Sequence, residues 1–135
     1  MGISYVQGVI SHPINVTRRM TLRFLVDTGA FFTVVPKDIL LKLGIQPVRQ
    51  ERVRFADGRT ARWKAGEAKL FLNGRSTTSW VLFGKPQTQP LLGAYSLEGL
   101  CLTVDPRTRR LVPIPTLIIA TTCLNIDQNL DSKFV

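Results

Sequence analysis

Two turn dipeptides, Asp57-Gly58 and Asn73-Gly74, each stand between segments that alternate apolar and polar residues. Asp-Gly and Asn-Gly supply the positive φ angles of two-residue hairpin turns. "RVRFA" and "RTARW" are therefore expected to form one hairpin, and "AKLFL" and "RSTTSWVLF" another. The same period of two runs through "ISYVQGVI" and "MTLRFLVD", joined by the turn-like "SHPINVTRR", and through "CLTVDP", which ends in a turn at Asp105-Pro106 before "RRLVPIP". Helical signals are few. "PKDILLKLG" places Pro36 at the first helical position, Ile39, Leu40 and Leu43 on one side, and Gly44 as the stop, while "AYSLEGL" suits a shorter helical turn. The expected fold is all-β with one or two short helices.

A chain of 135 residues with 44% hydrophobic and 20% charged residues is the size and composition of one globular domain that buries its own core. Its formal charge of +9, from 18 Lys and Arg against 9 Asp and Glu, is spread over pairs such as Arg18-Arg19, Arg52/Arg54 and Arg109-Arg110. This excess favours encounters with anionic partners and weak, salt-sensitive contact with nucleic acid. No recognition helix, zinc-finger spacing or ribonucleoprotein-type aromatic motif accompanies it, so a solvated basic surface is preferred over a nucleic-acid site. Acidic substrates or partners stay open.

Cys101 and Cys123 form no C-x-x-C and lie in apolar runs, where they are expected to pack as small hydrophobes. The N-terminus has no signal-peptide pattern, and no run of about eighteen apolar residues occurs, so a cytoplasmic location without membrane insertion is expected. Residues 116–135, after Pro113 and Pro115, carry one Lys and two Asp and contain "TLIIATTCL". They are set apart from the 1–115 domain as a tail, either an interface strand or disordered chain.

Chemistry centres on "FLVDTGAFFTVVP". A carboxylate between two apolar segments costs several kcal/mol unless it is hydrogen-bonded, paired or exposed in a cleft. A strand delivers Asp27, Thr28 offers a hydroxyl, and Gly29 allows a close backbone N–H to hold a carboxylate oxygen. Taken alone, the tripeptide equally suits an ordinary turn. Other chemistries lack their parts. His12 is the single histidine and sits beside Pro13, and neither a phosphate-binding loop nor a metal-ligand cluster is apparent, so no metal or cofactor is expected.

"FLVDTGAFFTVVP", followed some sixty residues later by "PLLGAYSLEGLCLTVDP", resembles the paired signature of retropepsin-like aspartic proteases (clan AA), in the order and spacing of the small single-lobe prokaryotic type. The resemblance covers residues 3 to about 115 and implies a closed β-barrel. Carried over, it makes Asp27 the catalytic aspartate, has Thr28 lock two active-site loops together, and sets the Gly29 N–H against the carboxylate. Ala30 fills the small position that follows, and Leu91, Leu92 and Gly93 brace the loop. The hairpin at Phe55, Ala56, Asp57 and Gly58 falls where the family has its substrate-covering flap, although "FADGRT" is not the Gly-rich retroviral type and a plain surface hairpin competes. Aspartic proteolysis needs two carboxylates, and the chain has one such motif. The resemblance therefore implies a symmetric homodimer cutting extended peptides, with a non-catalytic peptide-binding dimer as the alternative.

Overall fold

Alternation carries the chain into nine strands and two short helices across the residues described by the computed structural model, 4–115. Strands β1 (Ser4–Ser11) and β2 (Arg19–Val26) form a hairpin in the register Val6↔Phe24 and Ile10↔Met20, with Ile10 and Phe24 pointing into the core at 0% and 1% exposure. The connection between them is held by His12. Its Nδ1 accepts the N–H groups of Ile14 at 3.1 Å and Asn15 at 3.0 Å, which gives the lone histidine a local structural task.

After β3 (Thr33–Pro36) comes α1 (Lys37–Lys42), with Pro36 as its extended N-cap residue, one position earlier than expected. Gly44, at φ +80°, ends the helix as its sequence position suggested. The Arg18 guanidinium donates to the Lys42 carbonyl at 3.0 Å, placing a cation where the helix leaves its carbonyls unpaired.

Strand β4 (Arg49–Arg54) pairs with β5 (Thr60–Leu72), and β5 with β6 (Arg75–Gly84). Here the structure departs from the expected pair of separate hairpins, because "RTARW" and "AKLFL" are halves of one 13-residue strand. Gly66 lies at the junction. A Cβ there would come within 2.7 Å of the Gln46 carbonyl, so glycine lets the strand pass this backbone unbroken.

The chain closes with β7 (Leu91–Leu92), α2 (Ala94–Gly99), β8 (Leu102–Val104) and β9 (Leu111–Pro113), the last two forming a small separate sheet. The large sheet runs β1-β2-β7-β3-β6-β5-β4, and β1 also pairs with β5. Six strands thus complete a circuit of pairings around Ile10, Phe24, Val35, Leu40, Leu70, Val81, Leu92 and Leu97, with β4 attached outside it.

Cys101 corrects its expectation. It is exposed, with φ +56°, because the turn leaving α2 needs a left-handed residue there and directs the side chain outward. Cys123 and the tail, with its expected interface strand, lie outside the described residues. Among the described residues no helix is long and apolar enough to cross a membrane. Phe24→Ala should lower unfolding free energy by about 3–5 kcal/mol, measured by urea denaturation, since the cavity would open beside fully buried neighbours.

Candidate active site

Strand β2 ends by handing Asp27 to a tight loop. Leu25 N–H donates to the Pro90 carbonyl at 2.8 Å and Asp27 N–H to the Leu92 carbonyl at 3.0 Å, so β7 holds the strand up to the acid itself. The loop then folds back on Asp27. Ala30 N–H donates to its carbonyl at 3.1 Å, and Gly29 N–H donates to its Oδ1 at 3.0 Å. A Cβ on Gly29 would stand 3.3 Å from that oxygen, a tight contact that glycine avoids. Asp27 is half-buried and Ala30 likewise, while Thr28 is exposed and its hydroxyl has no partner among the described residues.

The far side of the loop rests on α2. Ala94 N–H donates to the Ala30 carbonyl at 2.8 Å and Tyr95 N–H to the Phe31 carbonyl at 2.9 Å. Gly93 makes this approach possible. A Cβ at that position would lie 2.5 Å from both C and O of Phe32 and 2.8 Å from the Phe31 oxygen, all of it backbone that cannot swing away. Leu91 pairs with Leu25 on one side and Val34 on the other, and Leu92 is buried at 2% exposure. The residues singled out around Asp27 and around Gly93 are thus brought into one bonded assembly.

Sequence reasoning missed the polar centre of this assembly. Thr33, Ser79 and Ser96 are all within 3% of complete burial, and their hydroxyls form a chain, Thr33 to Ser96 at 2.6 Å and Ser96 to Ser79 at 2.7 Å. Gly93 N–H donates to Thr33 Oγ1 at 3.0 Å and Ser79 Oγ donates to the Trp80 carbonyl at 3.2 Å. One direction of donation, Gly93 to Thr33 to Ser96 to Ser79 to Trp80, satisfies every hydroxyl at once. Such a fully paired buried chain is stiff, since losing one member strands the others. Isolated Ser and Thr in apolar segments were the only signal, too common to single out.

Asp27 opens onto a cleft of about 650 Å³. Gly29 and Ala30 share its floor, and Phe31, Phe32, Val34, Val53, Trp63, Leu82 and Leu91 make its walls apolar. The β4–β5 hairpin contributes Arg52 to Ala56. Phe55 and Ala56 therefore reach the cleft, whereas Asp57 and Gly58 form the exposed tip, closed by Phe55 N–H to the Arg59 carbonyl at 2.8 Å. Phe55 packs edge-on against Trp63, ring centroids 5.7 Å apart. Asp27 is the one carboxylate among the lining residues, and the described residues hold no cluster of three potential metal ligands.

A sequence model of a family described as aspartyl protease matches residues 13–95. Comparison with curated proteins finds no significant match. Among solved structures, the chain resembles the protease of simian foamy virus (mac), at 19% identity and TM-score 0.50 over 70% of this chain and 92% of that one. It also resembles the EIAV protease solved with the inhibitor HBY-793, at 17% identity and TM-score 0.55 over 72% and 86% of the two chains. The fold is that of the retroviral proteases, mostly β with two short helices. Gly93→Ala should destabilise the protein by about 3 kcal/mol or more in chemical denaturation, because the added methyl meets only backbone.

Proposed function

The chain belongs to the aspartyl protease family, and we propose that it is an endopeptidase working as a symmetric homodimer in which each subunit supplies Asp27. The observation that carries this reading is the setting of Asp27. Its carboxylate is gripped by the Gly29 N–H on a loop clamped between β7 and α2, and it faces a largely apolar cleft with no second acid among the described residues that line it.

Hydrolysis of a peptide bond by carboxylates needs a base and an acid together. One Asp27 accepts a proton from water as the oxygen attacks the scissile carbonyl, and the protonated partner donates to the carbonyl oxygen. Collapse of the tetrahedral species then breaks the C–N bond, and the amine leaves with a proton returned by a carboxyl group. A second copy placed on a two-fold axis provides the missing group, and the exposed Thr28 hydroxyl is free to bond across that axis. Leu91, Leu92 and Gly93 position the loop. The β4–β5 hairpin, through Phe55 and Ala56, covers an extended peptide whose apolar side chains enter the cleft.

Asp27→Asn should abolish cleavage while leaving circular dichroism and thermal unfolding intact, since the amide keeps the Gly29 hydrogen bond but takes no proton from water. Undiminished turnover by the purified variant would reject Asp27 as the catalytic group. Specific activity of the wild type should also fall on dilution through the dimer dissociation constant. A species that sediments as a monomer and keeps full activity would exclude the paired site.

Two carboxylates about 4 Å apart repel by about 4 kcal/mol at an effective dielectric near 20. Asp27→Asn removes the repulsion, so sedimentation equilibrium should find the variant dimer tighter than wild type at neutral pH. A weaker variant dimer of intact fold would contradict the paired geometry.

A further inference from the structure

Strand alternation divides the outer part of the β4–β5 hairpin into two unlike faces. In the observed register Gln50 stands opposite Lys64, Arg52 opposite Arg62 and Arg54 opposite Thr60. Side chains alternate along a strand, so these six share one face, and all six are exposed. The other face carries Glu51, Val53, Ala61 and Trp63, all half-buried, and its Val53 and Trp63 line the Asp27 cleft. The cationic face therefore points away from the cleft and into solvent.

Its composition is one-sided. Arg52, Arg54, Arg62 and Lys64 are cations, and Gln50 and Thr60 add an amide and a hydroxyl. Every position thus offers a hydrogen-bond donor, and none is a carboxylate or an aromatic ring. The hairpin's acids are engaged elsewhere: Glu51 pairs with Arg49 at 2.6 Å on the other face, and Asp57 with Arg59 at 2.6 Å at the tip. The four cations of the outer face make no ion pair among the described residues. Like charges facing each other across a strand pair cost stability, and Arg52 opposite Arg62 is such a pair. An anion bridging them would remove that cost. The rows of the face, Lys64, then Arg52 with Arg62, then Arg54, are two residues apart, about 6.8 Å at about 3.4 Å per residue. The cations form an oblique stripe about 14 Å long, the rise of about four nucleotides in one strand of a duplex.

We infer that this face binds the phosphate backbone of a nucleic-acid duplex. The three guanidinium groups and the Lys64 ammonium meet phosphates, and Gln50 and Thr60 donate to phosphate oxygens. The lack of an aromatic side chain favours a duplex over a single strand, whose binding relies on stacked bases. Regular charge density favours it over an acidic protein segment, which would have to set a carboxylate against every row. Such contact reads charge and not base sequence, so it needs no recognition motif; cations that stand apart in the sequence are collected by the hairpin. The inference is independent of the protease reading. Because the cleft lies on the other face, a peptide and a duplex can be held at the same time.

Fluorescence anisotropy of the full-length protein with a short labelled DNA duplex of mixed sequence tests the inference. Contact with four phosphates releases counterions, so affinity should fall about 150-fold between about 50 and about 200 mM salt, a log–log slope of about −3.6. Combining R52Q with R62Q should halve that slope and weaken binding about tenfold at the lower salt. This variant should fold at least as well as wild type, since the facing charges are gone. Combining R107Q with R110Q removes the same charge from an exposed turn between β8 and β9 and should leave the slope unchanged. The salt dependence of the unaltered protein needs no variant. An RNA duplex run alongside distinguishes the two sources of the same backbone, and failure of both duplexes to bind would overturn the inference. So would an equal loss in the R107Q and R110Q protein, which would assign the effect to overall charge. Tighter binding of a single strand, or of a polyglutamate chain of equal charge, would overturn it as well.

Discussion

The approach of Gly93 to the backbone of Phe31 and Phe32 is the contact on which the site depends. Three backbone atoms within 2.8 Å of where a side chain would begin leave room for hydrogen only. That closeness lets the Gly93 N–H reach Thr33, and lets Ala94 and Tyr95 bond the carbonyls of Ala30 and Phe31. With Leu92 gripping Asp27 from the opposite side, the acidic loop has its backbone tied at both ends. The loop needs no deep burial of its own, since bonds from two neighbouring elements give it one geometry.

The close tethering of the loop contrasts with the sparser pairing of the hairpin beside it. The Asp27 loop belongs to the closed circuit of strands, whereas β4 pairs only with β5 and stands outside that circuit. The outer part of the hairpin, Arg49–Arg54 with residues 60–64, bonds to no other strand of the sheet. On the proposed reading, carboxylates that share a proton need fixed positions while a cover over an extended peptide must admit it first, and the topology separates these demands.

Much of this was legible in the residues. Alternation placed β1, β2, β6 and β8 near their observed positions, and Gly44 marked the end of α1. The resemblance carried by "FLVDTGAFFTVVP" and "PLLGAYSLEGLCLTVDP" led to two loops that the structure joins by direct backbone bonds. What stayed hidden depends on three-dimensional neighbours. β5 reads as two strands because its halves serve different partners, and β7 is a two-residue strand defined by its pairing with β2 and β3. Thr33, Ser79 and Ser96 become a network only when segments distant in sequence meet, and Cys101 turns outward because of a left-handed backbone that its apolar surroundings did not announce.

The joining of the Asp27 loop to Gly93 also has a kinetic meaning. Gly93 and Thr33 are bonded across sixty residues of chain, and β2 and β3 find parallel partners only in β7 and β6. Contacts of such long sequence separation must overcome loop-closure entropy before they are rewarded, so they form late. During synthesis the Asp27 segment emerges long before the α2 residues that secure it. The nascent chain consequently carries the acid without the clamp, and the loop takes its fixed geometry only with completion of the barrel.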